Sequence, residues 1–247
     1  MQLTVLGANG TYPTAGRPAS GYLVSDGETN LWMDAGPGTY LALCRELDPM
    51  EIDAVFLSHR HPDHCSDIFA LYHSVAYGPG RRGRIRVVCP EGLPQALAAF
   101  LQHPAALDSA FEFVTAGDGD SVRLGSLDVS MVRTNHPPPT LAPRVSAGDR
   151  SVTYTADTGP SDAVASHAAG SDMLLAEATM TGRRGPGSYP HHMTGAEAGT
   201  MAAAAGVGCL VLTHIPAHED PDRILAEAES EFDGRVALAV PGARLTV

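Results

Sequence analysis

A short segment near residue 60 carries four side chains of the types that bind metal ions. His59, His61, Asp63 and His64 fall within six positions of the run SHRHPDH, directly after an apolar stretch. Imidazole nitrogens and carboxylate oxygens are preferred ligands of borderline divalent metals. His59 and His61, two apart in an extended loop, project together, whereas Asp63 and His64 begin a helix and are aimed elsewhere. One ion does not easily use all four groups, so the spacing indicates two ions side by side.

Three more candidate ligands follow runs that are typical of strands: His136, Asp157 and His214. Asp157 also precedes a Thr-Gly-Pro sequence and could be a turn residue. The presence of the cluster near residue 60 favours a ligand, because buried ligand-type groups without partners would be costly. The isolated histidines are interpreted as surface or core residues: His73, His103, His167 and His218.

Hydrophobic periodicity predicts the elements that would hold these groups. Apolar or alternating runs predict strands over residues 3–6, 21–24, 31–33, 54–57, 85–88, 127–134, 151–155, 173–176 and 210–212. Helical spacing and capping signals predict helices over residues 63–77 and 94–101, from Thr194, and from Asp220 to about Phe232. The strands at 127–134 and 151–155 are expected to have one solvated face. We expect a single domain over residues 1–247, with helices outside two sheets.

Composition excludes some classes of function. The 247 residues carry 16 Arg, no Lys and 28 acidic side chains, for a formal net charge of −12. A nucleic-acid binder normally presents a basic face, so nonspecific nucleic-acid binding is disfavoured. The cysteines, at 44, 65, 89 and 209, are far apart and are interpreted as reduced thiols. No run has the form of a signal peptide or a membrane span, so we expect a soluble cytoplasmic protein without a membrane partner.

The chain resembles the metallo-β-lactamase superfamily over nearly its whole length. The residues that carry the resemblance are the HxHxDH run, the two later histidines and the aspartate after a strand. The resemblance implies an α+β fold, a four-layer αββα sandwich, with two divalent metal ions at the sheet edge. It implies that one ion takes His59, His61 and His136, that the other takes Asp63, His64 and His214, and that Asp157 bridges them. Zinc suits such a set, and manganese or iron also fit.

Two further motifs resemble the ribonuclease Z-like phosphodiesterase branch of that superfamily. The run LGANG at residues 6–10 is similar to the start of that branch, although a flexible turn explains it equally well. EAT at 177–179 and HMT at 192–194 are more specific, because in that branch a Glu and a His at matching places pair over the leaving group. The stretch from His192 to residue 234 resembles most the small actinobacterial members described as cyclic-nucleotide phosphodiesterases.

The resemblance implies that the metal ions activate a water for attack on a small, cyclic nucleotide-like phosphodiester. Asp63 would orient that water, and His192, oriented by Glu177, would protonate the departing ribose oxygen. The chain lacks the long arm and the basic surface with which ribonuclease Z grips transfer RNA. We therefore expect a small anionic substrate and no transfer RNA partner, and a homodimer stays open. Arg183 and Arg184 are open candidates for substrate contacts.

Other interpretations stay open. A metal-dependent ester, thioester or lactone hydrolase of a biosynthetic pathway would use the same ions, and its Glu177–His192 pair would be incidental. A metal-stabilised regulatory module without catalysis is disfavoured, because structural zinc sites are closed and mononuclear. The basic run of Arg81, Arg82, Arg84 and Arg86 could hold phosphate, but a solvated loop before a strand is favoured.

Overall fold

The strands form two seven-stranded sheets in the computed structural model, which describes residues 1–79, 83–103, 105–185 and 187–247. The first sheet contains β1 (Gln2–Gly7), β2 (Gly21–Ser25), β3 (Asn30–Met33), β4 (Ala54–Phe56), β5 (Ile85–Pro90), β6 (Phe111–Ala116) and β14 (Arg244–Thr246). The second contains β7 (Ser121–Leu124), β8 (Leu127–Arg133), β9 (Leu141–Ala147), β10 (Arg150–Tyr154), β11 (Met173–Glu177), β12 (Cys209–Thr213) and β13 (Arg235–Leu238).

Each sheet is antiparallel in one half and parallel in the other. The first has the order β14-β1-β2-β3-β4-β5-β6, antiparallel as far as β3 and parallel from β3 to β6. The second has the order β13-β12-β11-β10-β9-β8-β7, parallel from β13 to β10 and antiparallel from there to β7. Because parallel strands end at the same edge of a sheet, the loops that follow them are brought together.

Helices cover the outer face of each sheet. The described helices are α1 (Thr39–Glu46), α2 (Pro62–Cys65), α3 (Ile68–Tyr77), α4 (Leu93–Leu101), α5 (Asp162–His167), α6 (Gly195–Ala205) and α7 (Pro221–Glu229). Successive strand residues point to opposite faces, and the buried residues divide accordingly. In β3, Leu31 and Met33 pack between the sheets, and Trp32 packs under the first set of helices. In β11, Leu175 packs between the sheets and Leu174 under α6 and α7. The four layers are those of the expected αββα sandwich.

Several short elements are absent from the sequence prediction: β6, β7, β9, β13, β14, α1 and α5. In β9, Pro143 argues against a strand, yet it pairs in register with Met131 of β8. β13 and β14 are edge strands whose residues are mostly half-buried or exposed, so their sequences carry little apolar alternation. Pairing with a neighbouring strand, rather than local pattern, defines β9, β13 and β14.

Two predicted elements differ in detail from the structure. The helix predicted over 63–77 is broken between α2 and α3, because the amide of Asp67 donates to the carbonyl of Ala35 instead of continuing the helix. The strand predicted over 151–155 has no solvated face along most of its length. Its polar face is buried, and Thr153 Oγ1 is satisfied by Ser171 Oγ at 2.7 Å. None of the described helices has the length and apolar character needed to cross a bilayer.

Candidate metal centre

Seven histidine and aspartate side chains converge at one edge of the two sheets. Four of them lie in the segment 58–64, which follows β4 and enters α2 with Pro62 at the first helical position. The other three follow strands of the second sheet: His136 after β8, Asp157 after β10 and His214 after β12. The first sheet thus supplies four of the groups and the second sheet three.

The seven side chains fall into two adjoining groups of candidate ligands, and a third group joins His192 to Asp157 and His214. Within each group, one candidate ligand atom per residue lies within 4.8 Å of the others. The first group is His59, His61, His136 and Asp157, and the second is Asp63, His64 and His214.

Asp157 lies between the two groups with one oxygen toward each. Its Oδ2 is 3.6 Å from His59 Nε2 and 3.7 Å from His136 Nε2. Its Oδ1 is 3.2 Å from His64 Nε2 and 3.5 Å from His214 Nε2. A carboxylate divided in this way has the geometry needed to bridge two cations.

Unpartnered buried atoms provide a test of whether a metal ion fits. Six buried side-chain atoms of the described residues have no hydrogen bond, and three of them belong to the cluster: His59 Nε2, His64 Nε2 and Asp157 Oδ1. Leaving such atoms unpaired in the interior is costly, and all three are atoms that ligate divalent ions. The cluster is therefore suited to divalent metal binding.

Hydroxyl groups hold three of the imidazole rings from the side away from the centre. The contacts are Ser58 Oγ to His59 Nδ1 at 3.0 Å, Thr140 Oγ1 to His136 Nδ1 at 3.1 Å and Thr179 Oγ1 to His214 Nδ1 at 2.8 Å. Each hydroxyl donates its own proton elsewhere, to Asp34, to the carbonyl of Pro138 and to Glu177 respectively. Each hydroxyl must then accept from Nδ1–H, which leaves the Nε2 lone pair facing the centre.

Asp34 performs the same task for the fourth ring, and the sequence analysis did not identify it. Its fully buried Oδ2 lies 2.7 Å from His64 Nδ1 and accepts from Tyr154 OH at 2.9 Å. Both the hydroxyl and the amide of Ser58 also donate to this carboxylate. A signal was present in the sequence, because Asp34 directly follows the apolar strand β3 as Asp157 follows β10.

The protonation equilibria of the cluster favour its metal-binding form. Burial lowers the pKa of His136 to about 4, and burial together with the imidazole of His64 lowers the pKa of His59 well below its usual value. Burial acts to raise the pKa of Asp157, but the imidazoles of His214 and His64 outweigh it and lower that pKa strongly. Neutral imidazoles and an ionised carboxylate are the states that ligate metals.

His64 behaves differently. Burial acts to lower the pKa of His64, yet the carboxylates of Asp157, Asp63 and Asp34 outweigh it and raise that pKa well above the usual value. The three carboxylates thus favour the protonated form of His64 when no other cation is present. A metal cation at the same place would balance the negative charge of these carboxylates instead of a proton.

Glu177 and His192 form a pair beside the cluster. His192 Nδ1 lies 2.8 Å from Glu177 Oε1, and the Glu177 side chain is fully buried. Glu177 also accepts from the amides of Thr158 and Met193 and from the hydroxyl of Thr179. Burial acts to lower the pKa of His192, but the hydrogen bond and charge of Glu177 raise it. The pair therefore favours a protonated imidazole.

His192 adjoins the metal-ligand candidates directly. Its ring centroid is 5.3 Å from that of His136 and 5.6 Å from that of His214, with which it stacks. The half-exposed ring of Tyr189 lies 5.5 Å from it on another side. The sequence analysis did not single out Tyr189, and its position three residues before His192 is the signal that could have done so.

The basic residues that the sequence analysis considered as phosphate contacts lie apart from the cluster, are exposed or are already bonded. Arg84 and Arg86 are at the beginning of β5, where Arg86 pairs with Ala54, the first residue of β4, whereas the ligands follow the end of β4. Arg81 and Arg82 lie outside the described residues. Arg183 is exposed, and Arg184 bonds to Glu197 rather than pointing freely into the site.

The glycine-rich loop after β1 packs against the second group. A Cβ added to Gly10 would collide with the carbonyl oxygen of His214 and would lie 3.1 Å from its Nδ1. Gly10 is therefore required for close approach to a candidate ligand, and a purely flexible turn does not explain it.

A four-layer αββα sandwich with a histidine–aspartate cluster at its edge defines a metallo-hydrolase. The domain described as "Beta-lactamase superfamily domain" matches residues 29–215, and the chain belongs to this superfamily.

Relatives span almost the whole chain. An uncharacterized protein of Mycobacterium leprae is 35% identical, with 98% of this chain and 87% of the relative covered. The probable metallo-hydrolase YhfI of Bacillus subtilis is 29% identical, with 98% of both chains covered. The crystal structure of YhfI superposes with a TM-score of 0.89 at 28% identity, covering 99% of this chain and 98% of YhfI. Ribonuclease Z of Methanopyrus kandleri is 28% identical, over 92% of this chain and 91% of the relative.

Proposed function

We propose that this metallo-hydrolase is a dinuclear phosphodiesterase that cleaves a small, cyclic nucleotide-like phosphodiester. The observation that carries the proposal is the Glu177–His192 pair, 2.8 Å between the bonded atoms, at the margin of the metal cluster. An alcohol leaves phosphorus as a strongly basic alkoxide unless it is protonated, so a phosphodiesterase benefits from such a proton donor.

The ligand assignment follows the two groups of side chains. One ion would be held by His59, His61 and His136 and the other by Asp63, His64 and His214, with Asp157 shared between them. When bound, divalent ions supply Lewis-acid chemistry that activates water and offsets charge on the phosphoryl group. Asp63 would also orient the attacking water.

His192 would donate the proton to the leaving oxygen. Glu177 accepts from its Nδ1, which sets the ring orientation and leaves Nε2–H for the substrate. Glu177 has no freedom to turn away, because two backbone amides and a hydroxyl also bond to it. The buried carboxylate thus keeps the imidazole aligned and raises its pKa, which favours the protonated form.

Charge favours a small substrate. The chain has a net charge of −12, so most of its surface repels a polyanion such as transfer RNA. Two divalent ions would outweigh the three carboxylates of Asp34, Asp63 and Asp157 and attract a single phosphodiester. The exposed ring of Tyr189 beside His192 offers a surface for a base on the leaving-group side. The ribonuclease Z relative supports a phosphodiester as the substrate class.

Parallel assays would test the proposal. Metal-loaded protein should hydrolyse bis-p-nitrophenyl phosphate and cyclic AMP, and elemental analysis should find two divalent ions per chain. If the protein hydrolysed a thioester or a lactone but neither phosphodiester, the proposal of a phosphodiesterase would be overturned. That result would favour the alternative, a metal-dependent ester, thioester or lactone hydrolase. If the protein cleaved bis-p-nitrophenyl phosphate but not cyclic AMP, only the proposal of a cyclic-nucleotide substrate would be overturned.

A further inference from the structure

The guanidinium of Arg184 joins the loop that carries Tyr189 and His192 to the first turn of α6. Its Nε and Nη2 donate to the two carboxylate oxygens of Glu197, at 2.6 and 3.0 Å. Its Nη1 donates to the carbonyl of Tyr189 at 2.7 Å, and its Nη2 also donates to the carbonyl of His192 at 2.6 Å. Four of the five N–H donors of a guanidinium are used in this way. Arg184 is consequently not available to grip a substrate phosphate.

Glu197 is a fixed anchor for this guanidinium. It is the third residue of α6, and its Oε2 accepts from the amide of Thr194 at 2.9 Å while Thr194 Oγ1 accepts from the amide of Glu197 at 3.2 Å. This reciprocal capping box ties the carboxylate to the first turn of the helix. The two-oxygen pairing with Arg184 adds a defined direction as well as strength.

His192 is therefore held at two independent points. Glu177 holds the imidazole through Nδ1, and Arg184 holds the backbone carbonyl of the same residue. The backbone after His192 is held by the amide of Met193, which donates to Glu177, and by the carbonyl of Met193, which accepts from the amide of Met180. Arg184 adds the bond to the carbonyl of His192 itself, on the side of the loop that precedes Met193. The Arg184 contact to Tyr189 fixes the preceding part of the loop in the same way.

We propose that Arg184 is a positioning residue that aligns His192 for protonation of the leaving group. The inference rests on the proposed function and extends it to a residue that does not itself touch the substrate. A displacement of about 1 Å at a reacting group can cost about 10²-fold in rate, so loss of the contact should be measurable.

Two substrates with different leaving groups would separate positioning from general stability. Cyclic AMP releases a ribose alkoxide and needs the proton, whereas bis-p-nitrophenyl phosphate releases nitrophenolate, which departs without one. Arg184→Ala should reduce kcat for cyclic AMP by roughly 10- to 100-fold. It should change kcat for bis-p-nitrophenyl phosphate less than about threefold and leave the metal content unchanged. Arg184→Lys, which lacks the fork, should recover only part of the loss.

Arg123→Ala provides the matched control, because Arg123 also forms a two-oxygen pair with a carboxylate, Asp128, on the exposed β7–β8 hairpin. That variant should retain both activities. An equal loss on the two substrates, or a loss of metal, in Arg184→Ala would overturn the positioning role.

A double-mutant cycle tests the link to His192. In a His192→Ala background, Arg184→Ala should reduce kcat for cyclic AMP no further, because the group that it positions is gone. Additive losses would contradict the inference. Failure of the wild-type protein on both phosphodiesters would instead overturn the proposed function, so the two failures are distinguishable.

Discussion

At the scale of single residues, the centre depends on groups that are not themselves candidate ligands. Ser58, Thr140, Thr179 and Asp34 each hold one imidazole at Nδ1 and leave Nε2 directed at the cluster. Such outer partners fix the tautomer and the ring orientation and raise the basicity of the ligand. The chemistry of the site is thus set by hydrogen bonds that surround the ligands as much as by the ligands.

Asp34→Asn tests this outer layer. The amide keeps the shape of the carboxylate but loses the charge that supports His64, so metal affinity should fall about 10- to 100-fold. Competition with a chromophoric chelator would measure the change. Asp67→Asn is the matched control, since Asp67 accepts from the amide of Tyr40 and touches no ligand. An unchanged affinity in Asp34→Asn would show that His64 does not depend on this carboxylate.

His192→Ala tests the proton donor. Turnover of cyclic AMP should fall by about 10²–10⁴-fold, because general acid catalysis is lost, while the metal content stays the same. Elemental analysis and steady-state kinetics would measure both. His191→Ala, at the neighbouring position, should behave as the wild type. Loss of metal from His192→Ala would instead identify His192 as a metal ligand. The measurement can show this, because the candidate ligand atoms of His192, Asp157 and His214 lie within 4.8 Å of one another.

At the scale of elements, strand ends and one helix start locate the site. The candidate ligands follow β4, β8, β10 and β12, and His192 precedes the capping box of α6. The capping box was predictable from Thr194 and Glu197, because its signal is confined to four neighbouring residues. The break between α2 and α3 could not be predicted from the sequence, because it depends on a hydrogen bond from the amide of Asp67 to the distant carbonyl of Ala35.

Thr194→Ala should destabilise the protein and impair the site together. Loss of a helix N-cap costs about 1 kcal/mol of the free energy of unfolding. Because His192 lies two positions before the cap, kcat for cyclic AMP should also fall. Ser161→Ala, which removes the side-chain cap of α5, is the matched control. Its stability loss should be similar, measured by urea denaturation, with kcat unchanged. Equal kcat in both variants would contradict a link between this cap and His192.

At the scale of the whole molecule, the centre joins two sheets. Polar contacts under the site also cross between them: Tyr154 OH of the second sheet donates to Asp34, and Tyr22 OH of the first lies 2.6 Å from Thr213 Oγ1. The Tyr22 and Tyr154 rings meet edge to face at 5.0 Å. The relative placement of the two sheets therefore determines the ligand geometry, and bound metal should in turn stabilise that placement.

Removal of metal should lower the thermal stability of the whole chain. A ligand present at about 1,000 times its Kd stabilises the folded state by about 4 kcal/mol, which corresponds to roughly 10 °C in Tm for a chain of this size. Calorimetry before and after chelation, with zinc or manganese restored afterwards, would measure the shift. An unchanged Tm with verified metal loss would show that the two sheets do not depend on the centre.

Some features of this protein are determined by its sequence alone. Three such features are local patterns: the HxHxDH spacing, the later ligand candidates after strands, and the capping box. Local patterns involve residues close together in the sequence, so they can be recognised without the tertiary structure. The αββα architecture followed from the resemblance that these motifs carry. The acidic composition likewise supports the proposal of a small substrate without any reference to the fold.

Other features were decided only by the tertiary structure. The hydrogen bond from Tyr154 to Asp34 spans 120 positions, and Arg184 meets Glu197 across a loop whose composition gives no sign of the contact. The division of the two Asp157 oxygens between the ligand groups depends on how the two sheets face each other. Hydrogen bonds require donor and acceptor within about 3 Å, and only the packed sheets bring such distant residues that close.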